Sequence, residues 1–379
     1  MTASVKAIIK PEILVWARTS AGYRDLDEAA TKVGVKPEKL AAWESGSDSP
    51  TVVQLRKVAG VYKRPIAVFY LPNVPKGVDV LHDFRTVYGG KAGEYSPALT
   101  FEIRRAYHRR EKALELYEEL GEQPETVSLK ASLTDDVNLV AERIRQYLGV
   151  TKQIQESWRA SSYDALNGWK TCIESHEILV FQASKVDVSE MRGFSIASQL
   201  VPVIVLNSAD APYARVFTML HELAHISLLT DGVCTLDSKK DSIEVFCNAV
   251  AGAILLPVEW FKSFSTDWSD ENVRAVARRY GMSNQVVIRR LLTLGKITQT
   301  EYNRKKAVYE REAQEAVSKQ SEKNTPIAQS TKVIASAGKL FTKLVLESYR
   351  RQKVTSADVS DLLSVRVQHF KEIESKVYG

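Results

Sequence analysis

Ala214-Arg-Val-Phe-Thr-Met-Leu-His-Glu-Leu-Ala-His225 is the stretch on which the reading of this chain turns. Its pattern is half apolar and helical, with the apolar side of Ala214 to Leu220 suited to burial against a sheet. On a helix, residues four apart share one face, so His221 and His225 present two imidazoles to one point. That is what a tetrahedral zinc site requires. Glu222, beside the first histidine, is placed to act on a bound water without ligating the ion, the pattern of metal-assisted hydrolysis. The plain alternative is a chance match on an ordinary amphipathic helix, so the flanking sequence has to decide.

Upstream, Ile178-Leu-Val-Phe181, Gly193-Phe-Ser-Ile196 and Val203-Ile-Val-Leu206 are short, β-branched or aromatic, and bounded by polar or glycine residues. They predict a small antiparallel sheet directly ahead of the helix. Downstream, Asp241 to about Leu255 predicts a second helix, and Glu244 lies nineteen residues beyond His225. That distance allows a turn and a returning helix. Val245, Phe246, Ala249, Val250 and Ala253 read as a buried face, where an unpaired carboxylate is costly. Ligation by Glu244 resolves that cost, and one zinc ion per chain is expected. Sites of this donor type accept several divalent ions, manganese included. Asn248, four residues on, faces the same way as Glu244 and is expected to hydrogen-bond a ligating histidine. Cys234 and Cys247 are competing donors, although Cys247 turns away from that face and reads as core. Tyr213, Arg192 and Arg215 are candidates to stabilise an oxyanion. His176 is within sequence reach of the site, but a histidine at a strand start is ordinarily structural. His82, His108 and His369 receive no role.

The segment from Pro11 to about Pro75 predicts a bundle of short helices, with Ile13, Leu14, Ala17, then Leu26, Ala29, Ala30, Val33, then Leu40, Ala41, Trp43 at helical spacing. Gly34 ends the second helix, Pro37 suits the first turn of the third, and Thr51 caps the fourth. A glycine-rich link at Gly89, Gly90 and Gly93 leads to a charged helix from Pro97 to Leu120. Arg104, Arg105, Arg109 and Arg110 are interleaved there with glutamates, as on a solvated face. Helices are expected near Thr134 to Leu148 and Tyr163 to Ser175, and again from Pro212 almost to the end. A polar break from Gln320 to Ser330 reads as a joint before a small helical tail. The expected division is 1–75, 76–132, 133–320 and 321–379, with an α+β, mostly α fold.

The chain has 379 residues, 44% hydrophobic and 26% charged, enough for more than one core. No stretch reaches the eighteen or more apolar residues of a membrane span, and Met1 to Lys10 lacks the apolar centre of a signal peptide. Three cysteines, none in a CxxC pair, argue against a disulfide framework and for a cytoplasmic location. A net charge of +6 permits contact with nucleic acid without requiring it.

Met191-Arg-Gly-Phe-Ser-Ile, Pro202-Val-Ile-Val-Leu-Asn207 and the stretch quoted first resemble the ImmA/IrrE family of metallo-endopeptidases. Glu244 to Pro257 resembles that family's second signature, in which the glutamate ligates zinc, with Cys247 and Val250 as mild departures. The resemblance runs from about Asp83, where Asp83-Phe-Arg85 recurs in longer members, to Gly295. It implies a zincin-like domain, with cleavage or control of a DNA-binding repressor and, for some members, a place in toxin–antitoxin or stress-response loci. Gly34 to Gly46 followed by Pro50 resembles the recognition helix and exit turn of XRE-type helix-turn-helix domains.

A helix-turn-helix offers the start of its second helix to the major groove, here Lys36, Glu38, Lys39 and, one turn later, Ala42. Leu26-Asp27-Glu28 is acidic where this class often has a phosphate-clamping glutamine. DNA binding through residues 11–75 is therefore weighed against dimerisation or substrate docking, and a homodimer is compatible with either. A second such pattern runs near 271–295, with Arg278, Arg279, Arg289 and Arg290, and packing on the catalytic core is its alternative. The leading expectation is a zinc endopeptidase cutting a partner protein such as a repressor. The competing one is a DNA-binding regulator or antitoxin whose zincin domain senses a partner without cutting it.

Overall fold

The computed structural model describes residues 5–75, 95–228, 237–321 and 328–378. The glycine-rich link at Gly89, Gly90 and Gly93, Asp83-Phe-Arg85, His82, Cys234 and the Asn324-Thr325-Pro326 joint lie outside them. The described residues are mostly helical with one small sheet, an α+β arrangement, and the chain divides into two compact units, Met1–Tyr107 and His108–Gly379.

The first unit opens with α1 (Pro11–Ser20), α2 (Leu26–Val33), α3 (Pro37–Ser45) and α4 (Val52–Tyr62), then a 3-10 turn at Ile66–Tyr70. Local chemistry sets each boundary. Prolines occupy the first turns of α1 and α3, where the missing N–H costs nothing. The Asp25 carboxylate accepts the Asp27 N–H at 2.9 Å to start α2, and Gly34 ends it at φ 78°. Thr51 and Gln54 form a reciprocal capping box on α4. Inside, Ile13, Leu14, Leu40, Trp43, Leu55, Val58, Tyr62 and Phe69 make one core. Arg18 donates to both carboxylate oxygens of Glu44, at 2.8 and 3.0 Å, and to the carbonyls of Tyr23 and Arg24.

Helix α5 (Pro97–Leu120) follows, and the boundary between the units falls within it. Then come α6 (Val137–Tyr147), α7 (Lys152–Ser157), α8 (Ser162–Glu174), β1 (Leu179–Ala183), β2 (Gly193–Ile196) and β3 (Val203–Asn207). Next are α9 (Pro212–Ser227), α10 (Asp237–Leu255), α11 (Asp270–Tyr280), α12 (Asn284–Thr293) and α13 (Gln299–Ser321). The chain closes with α14 (Gln329–Ala337), α15 (Lys339–Arg350), α16 (Ser356–Leu363) and α17 (Phe370–Tyr378).

The sheet is mixed, which corrects the antiparallel expectation. Its order is β1-β3-β2, with β3 parallel to β1 and antiparallel to β2. The chain reverses between β1 and β2 and again between β2 and β3. Two reversals restore the direction, so β3, lying in the middle, runs alongside β1.

Both faces of the sheet are covered, which is why β1 and β3 are apolar without a polar alternation. Val180, Ile204 and Leu206 face the cluster that contains Val216, Met219, Leu220 and Leu223 of α9. On the opposite face, Phe181 meets Phe341 of α15 edge-on, with ring centroids 5.8 Å apart. Cross-strand partners share a face, so Gly193 (opposite Leu206) and Ser195 (opposite Ile204) lie on the side of α9. The C-terminal helices are tied to this unit by Glu174, whose carboxylate accepts the Leu340 N–H at the start of α15.

Candidate metal centre

Helix α9 begins with Pro212 in its first turn and packs its apolar side on the sheet. Helix α10 returns along it and starts at Asp237, a turn earlier than expected, placing Glu244 opposite the two histidines. The His221 and His225 Nε2 atoms are 3.1 Å apart. Glu244 Oε2 lies 3.2 Å from His221 Nε2, and Glu244 Oε1 lies 3.3 Å from His225 Nε2. Among the described residues these three form a group able to hold one metal ion.

The spacing of these donors is informative. Nitrogen and oxygen donors about 2.0–2.1 Å from a tetrahedral zinc stand about 3.3–3.4 Å from one another. The observed contacts of 3.1 to 3.3 Å, of which the two from Glu244 come from different oxygens of its carboxylate, are of that size and suit one small cation. Two imidazole nitrogens and a carboxylate oxygen are also the donor chemistry such a cation takes.

The two glutamates of the site sit in opposite environments. Hydrogen bonds from His221 and His225 hold the Glu244 carboxyl well below the usual carboxylate range. Glu222 is only 4% exposed, and burial pushes its pKa up against the pull of both histidines and Ser195. Burial lowers His221, but Glu244, Glu222 and Asn248 more than offset it, so its pKa is raised.

One expectation about this site changes. Glu244 is 45% exposed and Val245 68%, so ligation does not follow from deep burial of the carboxylate. What places Glu244 is its contact with two imidazoles. Asn248 is exposed, and its side-chain hydrogen bond with His221 favours the charged imidazole, in line with the expected support of a ligating histidine. Cys247 is fully buried in the core, and burial raises its thiol pKa, as a core residue rather than a ligand requires.

Two of the three oxyanion candidates are engaged elsewhere. Arg215 Nη1 donates to Gln182 Oε1 at 2.9 Å, and Arg192 pairs with Asp210 at 3.5 Å. Tyr213 lies two helical turns before His221, about 12 Å along the axis. His176 stacks on Tyr147 with centroids 4.1 Å apart, a structural role.

Residues 173–292 match the family Peptidase_M78, the IrrE N-terminal-like domain. The matched span holds the sheet, α9 with both histidines, and α10 with Glu244, and it supports the ImmA/IrrE resemblance and a metallopeptidase-type function. No curated protein matches the chain. The first unit lies outside the peptidase-family span.

Sequence reasoning missed Ser195 and Gly193. Ser195 Oγ donates to Glu222 Oε2 at 2.8 Å, with both residues buried. A Cβ on Gly193 would lie 2.5 Å from the Thr218 methyl, so glycine there permits α9 to approach β2. The two-residue spacing Gly193-x-Ser195 on a strand beside the four-residue spacing Thr218-x-x-x-Glu222 on a helix was the available signal.

In the first unit, Lys36 precedes α3, and Lys36, Glu38 and Lys39 are exposed, with Ala42 partly so. The Lys39 ammonium lies 5.8 Å from the Trp43 ring. Around 271–295 the outcome differs: Val287, Ile288 and Leu291 of α12 are fully buried in the core shared with α9 and α10.

Proposed function

We propose that this chain is a zinc-dependent endopeptidase that cuts a partner protein, a repressor being the substrate class expected, with DNA bound through its N-terminal unit. The observation that carries the reading is the group of His221, His225 and Glu244, in which both carboxylate oxygens of Glu244 and the two Nε2 atoms lie 3.1 to 3.3 Å from their neighbours, close enough to share one cation. A divalent cation held there acidifies water and polarises a peptide carbonyl.

The chain's own residues do the rest. Glu222 is adjacent to the ligands, buried and raised in pKa, so it takes the proton of the attacking water. It then returns that proton to the departing amine nitrogen. Ser195 donates to Oε2 and holds that carboxylate in place. A cytoplasmic location is part of this proposal, supported by the free thiols Cys172 and Cys247.

The test is metal analysis of the purified chain beside His221→Ala/His225→Ala and Glu222→Gln. One equivalent of zinc in the wild type and in Glu222→Gln, lost from the double variant, is expected, with cleavage of an unfolded protein lost from both variants. A wild-type chain that takes up no zinc removes the peptidase reading. The regulator or antitoxin reading, which the exposed start of α3 favours, then takes its place.

A further inference from the structure

Helix α9 and strand β2 touch at two successive points on one side of the sheet. Thr218 sits against Gly193, and Glu222 accepts from Ser195. Four helical residues advance about 6 Å, and two strand residues advance about 6.6 Å. The two spacings nearly match, and both contacts progress in the same chain direction. The helix is therefore held against the strand at two points, and the second point is the carboxylate of Glu222 itself.

The chemistry of that contact matters as much as its place. A lysine or arginine opposite Glu222 would hold the carboxylate as an ion pair and remove its basicity. A hydroxyl holds one oxygen while adding no charge, and the other oxygen keeps its lone pairs. Ser195 is 1% exposed and lies on a strand, so the hydroxyl is presented by rigid backbone rather than by a loop.

From this geometry we infer that Ser195 is a positioning residue, holding the Glu222 carboxylate through Oε2 in the orientation from which it meets the reacting water. The inference rests on the peptidase reading for its catalytic meaning, but the seating of Glu222 is testable without it. Ser195→Ala and Ser195→Thr are compared with the wild type and Glu222→Gln. The measurements are zinc content, crystal structures, and kcat and KM on casein as an unfolded substrate.

Ser195→Ala is expected to keep its zinc and KM, to lose about 10- to 100-fold in kcat, and to show the Glu222 carboxylate rotated from its present place. Ser195→Thr, which keeps the hydroxyl, is expected to restore most of the rate. A Glu222 carboxylate that stays put in Ser195→Ala overturns the inference, as does loss of zinc together with rate, the mark of a purely structural contact. If the wild type cuts nothing, or Glu222→Gln cuts as fast, the peptidase reading fails. The crystallographic comparison still decides whether Ser195 holds Glu222.

Discussion

Helices α2 and α3 meet across Gly34-Val35-Lys36, and helices α11 and α12 meet across Gly281-Met282-Ser283. Both turns open with a glycine in the left-handed region, at φ 78° and 62°, where a side chain would be strained. From there the pairs diverge. The start of α3 shows Lys36, Glu38 and Lys39 to solvent, whereas α12 buries Val286, Val287, Ile288, Arg290 and Leu291. Arg290 is held inside by the Leu256 carbonyl at 3.0 Å and by Asn138. Turn chemistry sets how two helices join. Whether the second helix has a free face depends on its neighbours, and α12 has α10 and the segment after it.

The largest stability effect is expected in the first pair. Glu44→Ala leaves Arg18 buried without its carboxylate and should cost the first unit about 3 kcal/mol. Hydrogen exchange in α1 to α4 measures this. Unchanged protection there would mean that the ion pair does not hold the unit together. Arg290→Ala should cost about 2 kcal/mol in urea unfolding, because the Leu256 carbonyl loses its donor. Arg289→Ala, at an exposed site, should stay within about 0.5 kcal/mol. Equal losses from the two arginines would break the contrast between buried and free faces.

At the start of α11, the Lys305 ammonium, 2.5 Å away, together with Tyr309, holds the Asp270 carboxyl below its usual range. A depressed carboxylate contributes stability above its unfolded pKa, and that contribution is lost as pH falls through the folded value. Asp270→Asn should therefore cost under about 1 kcal/mol at neutral pH, and the gap to wild type should close in acid below the ordinary pKa of 3.8. A gap that persists at low pH assigns the loss to packing. On the proposal that the first unit binds DNA, Lys36→Ala/Lys39→Ala should leave stability unchanged and lower the salt slope of that binding by about two. Arg278→Ala/Arg289→Ala should leave that slope alone. Identical slopes for both pairs would erase the distinction in surface role.

Most of the local structure was legible because local chemistry decides it. Pro37 in the first turn, Thr51 at a cap, Gly34 at an end and the limits Pro97 and Leu120 all came from residues acting on their own neighbours. The candidate metal site was legible for the same reason: His221 and His225 share a helix, and four-residue spacing alone puts them on one face. Glu244 was found by pattern, although for a partly mistaken reason, since burial of its helix did not supply the argument. The sheet's mixed topology was not legible, because strand order depends on which reversal places β3 in the middle.

By itself, then, the sequence determined the helix ends, the apolar strands, the pair of histidines and the glutamate between them. Each depends on contacts within a few residues, which spacing encodes. Tertiary structure alone decided that Ser195 meets Glu222, that Glu244 meets both histidines while staying half exposed, and that α12 is largely buried where the start of α3 is exposed. Those outcomes depend on distances between elements far apart in the chain, and periodicity along one segment carries no information about which other segment covers it.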